Sequence, residues 1–195
     1  SILIARKLGA RAISVKEKGY GSALFFGIQN AKYEYIIMGD ADDSYDFSDL
    51  LKFLNKFNEG YEFVIGDRFK GGIQKSAMPI LNRYLGNPVL SFIGNFLFKT
   101  GIRDFHCGLR GIKKSAFKKI DLRTTGMEFA SEMVIKCSLS KIKTSQVPIK
   151  LYKDKRNRKP HLKPFRDGWR HLKFMLIFSP KILFFYPAFI LLACG

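Results

Sequence analysis

The chain has 195 residues, 47% of them hydrophobic, which is enough for one well-buried domain and not for two. Its 34 Lys+Arg against 16 Asp+Glu leave a formal net charge of +18. That excludes an ordinary neutral enzyme surface and predicts a polyanionic partner: nucleic acid, an anionic membrane or a phosphorylated substrate. With 19 Phe and 8 Tyr it is too aromatic to be a disordered basic tail. Cys107, Cys137 and Cys194 form no C-x-x-C pair and no disulfide framework, as expected in a reducing compartment.

In chain order, Ile2 to Leu8 reads as the end of a helix already under way, so the sequence is expected to begin inside a domain. Arg11–Val15 reads as a strand and Gly21–Lys32 as a helix with Leu24, Ile28 and Ala31 on one face. Tyr35–Met38 is a short apolar strand ending at Gly39-Asp40. Ser48–Phe57 is a helix with Leu50, Leu54 and Phe57 in phase and Ser48 as its N-cap. Phe63–Gly66 is another buried strand. This βαβαβ order predicts a doubly wound α/β sheet with ligands at the carboxyl ends of its strands. Asn87-Pro88 opens a helix through Phe98 whose residues are apolar on most sides, suited to core or to lipid. Gly126–Leu139 reads as a helix, and Ile142–Leu151 as a strand that Pro148 assigns to a sheet edge.

The last segments carry a membrane pattern. Between Phe165 and Phe178, Trp169 and Phe174 lie beside Arg166, Arg170, His171 and Lys173, as in an interfacial helix. From Ile182 to Gly195 no residue is charged. A full span needs about 20 such residues, so this run reads as the start of a transmembrane helix cut short by the end of the sequence. The expected division is a main domain over 1–163, an interfacial segment over 164–181 and the start of a transmembrane helix over 182–195.

Five of the acidic residues fall in one place: Asp40, Asp42, Asp43, Asp46 and Asp49. The cluster follows an apolar strand, so Asp40 and Asp42 lie at its carboxyl end. Two carboxylates two residues apart reach one hard cation, and Mg²⁺ or Mn²⁺ is commonly held by such a pair together with substrate phosphate oxygens.

Around this cluster the sequence resembles family 2 glycosyltransferases of the dolichyl- or polyprenyl-phosphate mannose and glucose synthase type, in the dolichol-phosphate-glucose synthetase-like subgroup. The resemblance rests on Gly19-Tyr20-Gly21-Ser22, on Gly39-Asp40-Ala41-Asp42-Asp43-Ser44-Tyr45-Asp46, on Gly66-Asp67-Arg68-Phe69 and on Asn82-Arg83-Tyr84. It continues through Asp104-Phe105-His106-Cys107-Gly108-Leu109-Arg110-Gly111, Thr125-Gly126-Met127-Glu128 and Arg166-Asp167-Gly168-Trp169-Arg170-His171. It implies a GT-A fold with a Rossmann-like nucleotide half, whose first β/α unit precedes Ser1. That would leave the donor pocket incomplete in this stretch alone. The implied reaction moves a hexose, with inversion, from UDP-glucose or GDP-mannose to a dolichyl or polyprenyl phosphate at the cytoplasmic membrane face.

The resemblance also implies residue roles. Asp40 and Asp42 would hold the divalent metal, and Asp42 and Asp104 would be catalytic. Arg68, Arg83 and Arg110 would bind the acceptor phosphate, for which a guanidinium fork is suited. Gly19 and Gly21 would place helix N–H groups at the donor, joined by Arg158 and Lys163 from a basic loop that also contains Arg156 and His161. Asp43 and Glu128 are further site candidates. Glu132, one turn after Glu128, is expected to pair with Lys136. Ten Lys/Arg lie between Lys150 and Lys173 against Asp154 and Asp167, a belt equally suited to an anionic membrane. Two other readings compete. A nucleic-acid-binding domain is permitted by charge, but no helix-turn-helix, zinc or RNP pattern is present, so nucleic acid is not expected as a partner. A non-catalytic membrane-anchored relative is disfavoured by the retained Asp40/Asp42 and Arg68/Arg83 sets.

Overall fold

A computed structural model describes residues 2–155 and 164–194. Its elements run α1 (Ile2–Lys7), α2 (Tyr20–Gln29), β1 (Tyr35–Met38), α3 (Leu50–Asn58), β2 (Phe63–Asp67), α4 (Arg68–Gly71), α5 (Asn87–Phe98), β3 (Arg110–Lys113), α6 (Lys114–Phe117), α7 (Phe129–Leu139), β4 (Thr144–Pro148), α8 (Pro164–Ile177) and α9 (Tyr186–Cys194). Wider helical turns at Asn82–Gly86 and Lys181–Phe185 lead into α5 and α9.

The strands form one mixed sheet in the order β1-β3-β2-β4. β3 is antiparallel to both β1 and β2, and β4 is parallel to β2. Strand β2 is flanked on both sides, and all five of its residues are buried, so its unbroken Phe-Val-Ile run is what a two-faced central strand requires. Edge strand β1 instead alternates, with Ile36 and Met38 buried and Tyr35 exposed and stacked on Phe57 at 4.9 Å. Helix α3 lays Phe53 and Phe57 across the sheet at Gly111, where a Cβ would come within 2.7 Å of the Phe57 ring. Helix α7 is buried on nearly all sides.

Several expectations change. The sheet is not a parallel doubly wound one, because β3 inserts antiparallel between β1 and β2. Its sequence, Arg-Gly-Ile-Lys, holds no apolar run from which to read a strand. Arg11–Val15 pairs with none of the strands, and Ile13 is exposed. The stretch has too few inward-facing apolar residues to hold a place in the sheet. Asp46 caps the tight turn Phe47–Asp49 that leads into α3, its carboxylate accepting from the Ser48 N–H at 2.8 Å, so Ser48 is a capped residue rather than the cap. Helix α5 ends at Phe98 as predicted, but Asn87-Pro88 does not open it: Asn87 is itself helical and the backbone continues into α5 from the wider turn Asn82–Gly86, while β4 with Pro148 is an edge strand.

No single helix among the described residues is long and apolar enough to cross a membrane; α8 and the helical stretch Lys181–Ala193 pass that test only together, with an 87° bend between them.

Candidate active site

Three segments meet at one edge of the sheet for a topological reason. β1 and β2 are each antiparallel to β3, so they run parallel to one another and end at the same edge. β3 starts there, with Arg110 opposite Met38 on one side and Ile65 on the other. Residues 39–46, 67–71 and 104–109 are therefore neighbours.

Gly108 lets the first and third segments touch. A Cβ at this position would collide with the Asp40 carboxylate and come within 3.2 Å of the Tyr45 hydroxyl, which accepts the Gly108 N–H at 3.0 Å. Two residues on, Asp42 Oδ1 accepts the Ser44 N–H at 3.1 Å and the Ser44 hydroxyl at 2.5 Å. Asp43 follows with φ 63°, a left-handed conformation that aspartate tolerates better than most residues. Its side chain turns outward to an ion pair with Lys155. Asp43 is thus directed away from the Asp40–Asp42 pair by its own backbone.

This donor set fits a hard divalent cation. It is all oxygen, it sits at a strand's carboxyl end, and the missing side chain at Gly108 makes room for the Asp40 carboxylate. No cluster of three or more His, Cys, Asp or Glu able to hold a metal occurs among the described residues. The remaining positions around an ion would fall to diphosphate oxygens and water.

The second segment meets the third through a buried ion pair. Arg68 donates from Nε to Asp104 Oδ2 at 2.6 Å and from Nη2 to Oδ1 at 2.7 Å. The same carboxylate accepts the main-chain N–H of Arg68 and of His106, each at 3.3 Å. Asp104 is 0% exposed. Burial opposes the Arg68 charge, but the Asp104 carboxylate outweighs it and holds the guanidinium well above its ordinary range. So the structure brings Arg68 and Asp104 together, each as the other's partner. Arg83 lies apart on the turn Asn82–Gly86, half-buried, its guanidinium 5.4 Å from the Tyr84 ring centroid.

Arg110 needs correction as a phosphate ligand. It is 1% exposed, and Nε, Nη1 and Nη2 donate to the carbonyls of Cys107, Ala130 and Phe105 at 2.6, 2.6 and 2.7 Å. Its fork is directed at main chain, so it shapes the 104–109 loop rather than facing a ligand. Gly19 and Gly21 need the same correction. The N–H groups of Gly21 and Ser22 both donate to the Thr125 carbonyl, at 2.9 and 3.3 Å. A Cβ at Gly19 or Gly21 would collide with the carbonyl of Thr125 or Thr124. The glycines allow close packing of α2 on that segment and do not turn free donors toward an anion.

Glu132 pairs with Lys136 at 2.8 Å as its spacing predicts, and it also accepts the N–H groups of Arg123 and Thr124. Glu128 opens α7 with its carboxylate against Gly126, and its Oε2 is buried without a hydrogen-bond partner. Arg158 and Lys163, like Arg156 and His161, lie outside the described residues. The chain leading to them is tied to the acidic loop: Tyr152 N–H donates to Ser44 O at 2.9 Å and Lys155 N–H to Asp42 O at 3.5 Å.

Sequence reasoning missed Tyr45, Tyr20 and Gly108. Burial pushes the Tyr20 hydroxyl to about 12 and the Tyr45 hydroxyl well above its ordinary value, so both stay neutral donors or acceptors beside Asp40. The Tyr after Asp-x-Asp-Asp-Ser was the available signal for Tyr45. Cys107 is buried and its thiol is pushed to about 12, an inert packed group.

Residues 3–121 match the family described as glycosyl transferase family 2. The chain belongs to that family. It is 38% identical over 193 residues, 98% of its length, to the low-salt glycan biosynthesis hexosyltransferase Agl6 of Haloferax volcanii, of which it covers 46%. It is 32% identical over 85% of its length to a dolichyl-phosphate hexose transferase of the same organism, of which it covers 70%. With a UDP-N-acetylglucosamine–dolichyl-phosphate N-acetylglucosaminyltransferase of Methanococcus voltae it shares 33% identity over 72% of its length, covering 59% of that protein. The chain thus spans about half the length of several of these relatives.

Among solved structures, glucosyl-3-phosphoglycerate synthase of Mycobacterium tuberculosis, in complex with Mn²⁺, UDP and glucosyl-3-phosphoglycerate, matches at a TM-score of 0.65. The identity is 14%, over 91% of this chain and 63% of that one. Mannosyl-3-phosphoglycerate synthase of Rubrobacter xylanophilus matches at 0.64, with 15% identity over 92% and 59%. The fold is that of the GT-A glycosyltransferases.

Proposed function

We propose that the chain carries the transfer site of a membrane-seated enzyme that moves a hexose from a nucleotide sugar to a dolichyl or polyprenyl phosphate, with inversion. The observation that carries this reading is the meeting, at one sheet edge, of the Asp40–Asp42 pair with the buried Arg68–Asp104 pair. The relatives named for dolichyl-phosphate transfer, and the Mn²⁺ and UDP in the matched synthase, support it.

In this reading Asp40 and Asp42 hold Mg²⁺ or Mn²⁺, which when bound offsets charge on the departing nucleoside diphosphate. Tyr45 and Gly108 fix where Asp40 points. Arg68, through the Nη1 group that Asp104 does not engage, and Arg83 receive the acceptor phosphate. A phosphate monoester is already ionised at neutral pH, so Asp104 is not needed as a strong base. It orients Arg68, and the gain is one of positioning.

A surface feature supports the lipid acceptor. From Tyr84 to Phe98 the chain has no charge, and Arg83 and Lys99 flank the run. Helix α5 buries Leu90, Gly94 and Phe98 on one side, while Phe92 and Phe96 stand 71% and 69% exposed on the other. Leu81, Leu85 and Val89 extend that exposed stripe at helical spacing. Helix α8 packs beside α5 and exposes Phe165 and Trp169 among Arg166, Arg170 and Lys173. Apolar stripes edged by cations suit an anionic bilayer, and we place both helices on its cytoplasmic face. The 87° bend then turns the stretch after Lys181 toward the bilayer normal when α8 lies flat, in keeping with the division at 163 and 181.

The test, on the longest form of the protein that contains this chain, is transfer of labelled sugar from UDP-glucose, GDP-mannose or UDP-N-acetylglucosamine to polyprenyl phosphate, with Mn²⁺ and with EDTA. One donor should give a chloroform-soluble product that EDTA abolishes. No lipid-linked product from any donor overturns the reading.

A further inference from the structure

Helix α8 has an inverted polarity in its first turns. Outward it shows Phe165 and Trp169, whereas inward it buries Asp167 and His171 before reaching the core at Met175. Hydrophobic residues facing inward would stabilise the contact more simply, so the buried polar side chains call for a reason.

His171 leads to one. Its Nδ1 lies 2.9 Å from the Ser131 hydroxyl of α7, and the same hydroxyl is 3.4 Å from Nε2 of His106. The two imidazoles meet edge to face, with ring centroids 4.5 Å apart. His106 stands two residues after Asp104, and its main-chain N–H donates to that carboxylate. A mechanical path therefore runs from α8 through Ser131 to the His106 side chain, and from the His106 main-chain N–H to Asp104 and on to Arg68. The His106 Nδ1 atom is buried without a hydrogen-bond partner. An orphaned lone pair costs less than an orphaned N–H, which favours Nε2 of His106 donating to Ser131 and Ser131 donating to His171. One hydroxyl proton thus links the tautomers of two histidines on different elements.

We propose that His171 is a positioning residue: through Ser131 and His106 it ties α8 to the loop that carries Asp104, so that the seating of α8 on the bilayer is felt by the Arg68–Asp104 pair. This rests on the membrane reading of α8 given above. Helix α5 also reaches the loop, through Ser91, whose hydroxyl accepts the Phe105 N–H at 3.3 Å, and through Gly94 packed on the Phe105 ring, but neither contact touches Asp104, and Arg110 holds the loop from within. The consequence is an enzyme that aligns its acceptor arginine best where the lipid acceptor resides.

Two measurements test it, the first on the chain and the second on the longest form of the protein that contains it. The first is spectroscopic and needs no turnover. Vesicles of phosphatidylcholine with phosphatidylglycerol are added while Trp169 emission and the His106 imidazole ¹⁵N signals are followed. Trp169 should shift to the blue and the His106 signals should move; in Ser131→Ala only Trp169 should respond. A responding Trp169 with unmoved His106 signals overturns the inference and leaves the membrane reading standing. A silent Trp169 overturns both. The second is kinetic. His171→Phe and Ser131→Ala should each lower kcat about tenfold while the KM for the nucleotide sugar stays within about twofold. His171→Asn, which keeps a polar atom near the Nδ1 position, should recover most of the loss. Unchanged kcat in His171→Phe, or Asn failing alongside Phe with an equal drop in melting temperature, overturns the proposal.

Discussion

The sheet edge and the outer face of α5 reverse the usual placement of charge. At the edge, Arg68, Asp104 and Arg110 are buried. On α5, Phe92 and Phe96 are exposed, and no charge appears from Tyr84 to Phe98. Buried charges are tolerated only when paired and hydrogen-bonded, and exposed aromatics in a stripe mark a surface that is covered in use. Each region is costly in water by itself. Under the proposed function, the first would hold phosphate and the second would face lipid.

The comparison can be broken at several points. The largest effect is expected at the acidic loop. Asp42→Asn should lower sugar transfer by about a hundred- to a thousandfold while leaving the fold intact, measured by turnover across a Mn²⁺ titration. Normal turnover would remove the metal assignment. Next comes the buried pair. Arg68→Ala or Asp104→Ala strands a charge and should cost about 3–5 kcal/mol in denaturant unfolding. Arg68→Met combined with Asp104→Leu should recover that stability without recovering activity, which separates the pair's two roles.

Acid should act next, through the histidines. Burial pushes His171 down to about 4, with Arg110 adding to the fall and Glu128 and Asp167 opposing it. Burial, with His171, Arg110 and Arg68, holds His106 well below its ordinary value. A histidine held neutral in the fold binds its proton more readily when unfolded. Its stabilisation is therefore complete above about pH 6.5 and is lost as pH falls toward 4, on the order of 3 kcal/mol for His171. Unfolding curves at pH 7 and pH 4.5 measure this, and His171→Phe should flatten the difference.

The smallest effect on folding belongs to the lipid-facing side. Phe92→Ser with Phe96→Ser should change stability by about 0.5 kcal/mol or less, since neither ring is in the core. Vesicle flotation should nonetheless fall about tenfold or more, because each ring gives up apolar contact with the bilayer. Retained flotation would point to another cover for the stripe.

Much of this arrangement was legible in the sequence. β1, β2 and α5 are apolar runs bounded by Gly-Asp, Gly-Asp-Arg and Asn-Pro, and such runs announce themselves locally. The acidic cluster at the end of β1 was legible for the same reason. β3 was not, because its strand character comes from the neighbours on both sides and not from Arg-Gly-Ile-Lys itself. Arg110 was misread because a basic residue beside a phosphate motif invites a phosphate. Its nitrogens meet three carbonyls that only the fold brings together. Gly19 and Gly21 were misread in the opposite sense: their small size serves a chain packed against them that lies a hundred residues away in sequence. The His106–Ser131–His171 path joins three elements and has no local signature at all.

Gly108 holds one more lesson. A single methyl group there would push against the Asp40 carboxylate, the movable end of a side chain, and not against main chain. Gly108→Ala should therefore fold and still dock on membranes, yet lose its grip on the cation. Position 108 becomes a genetic tell-tale. A relative that keeps both aspartates but carries Ala or Ser at this place is better read as a retired enzyme than as a working one.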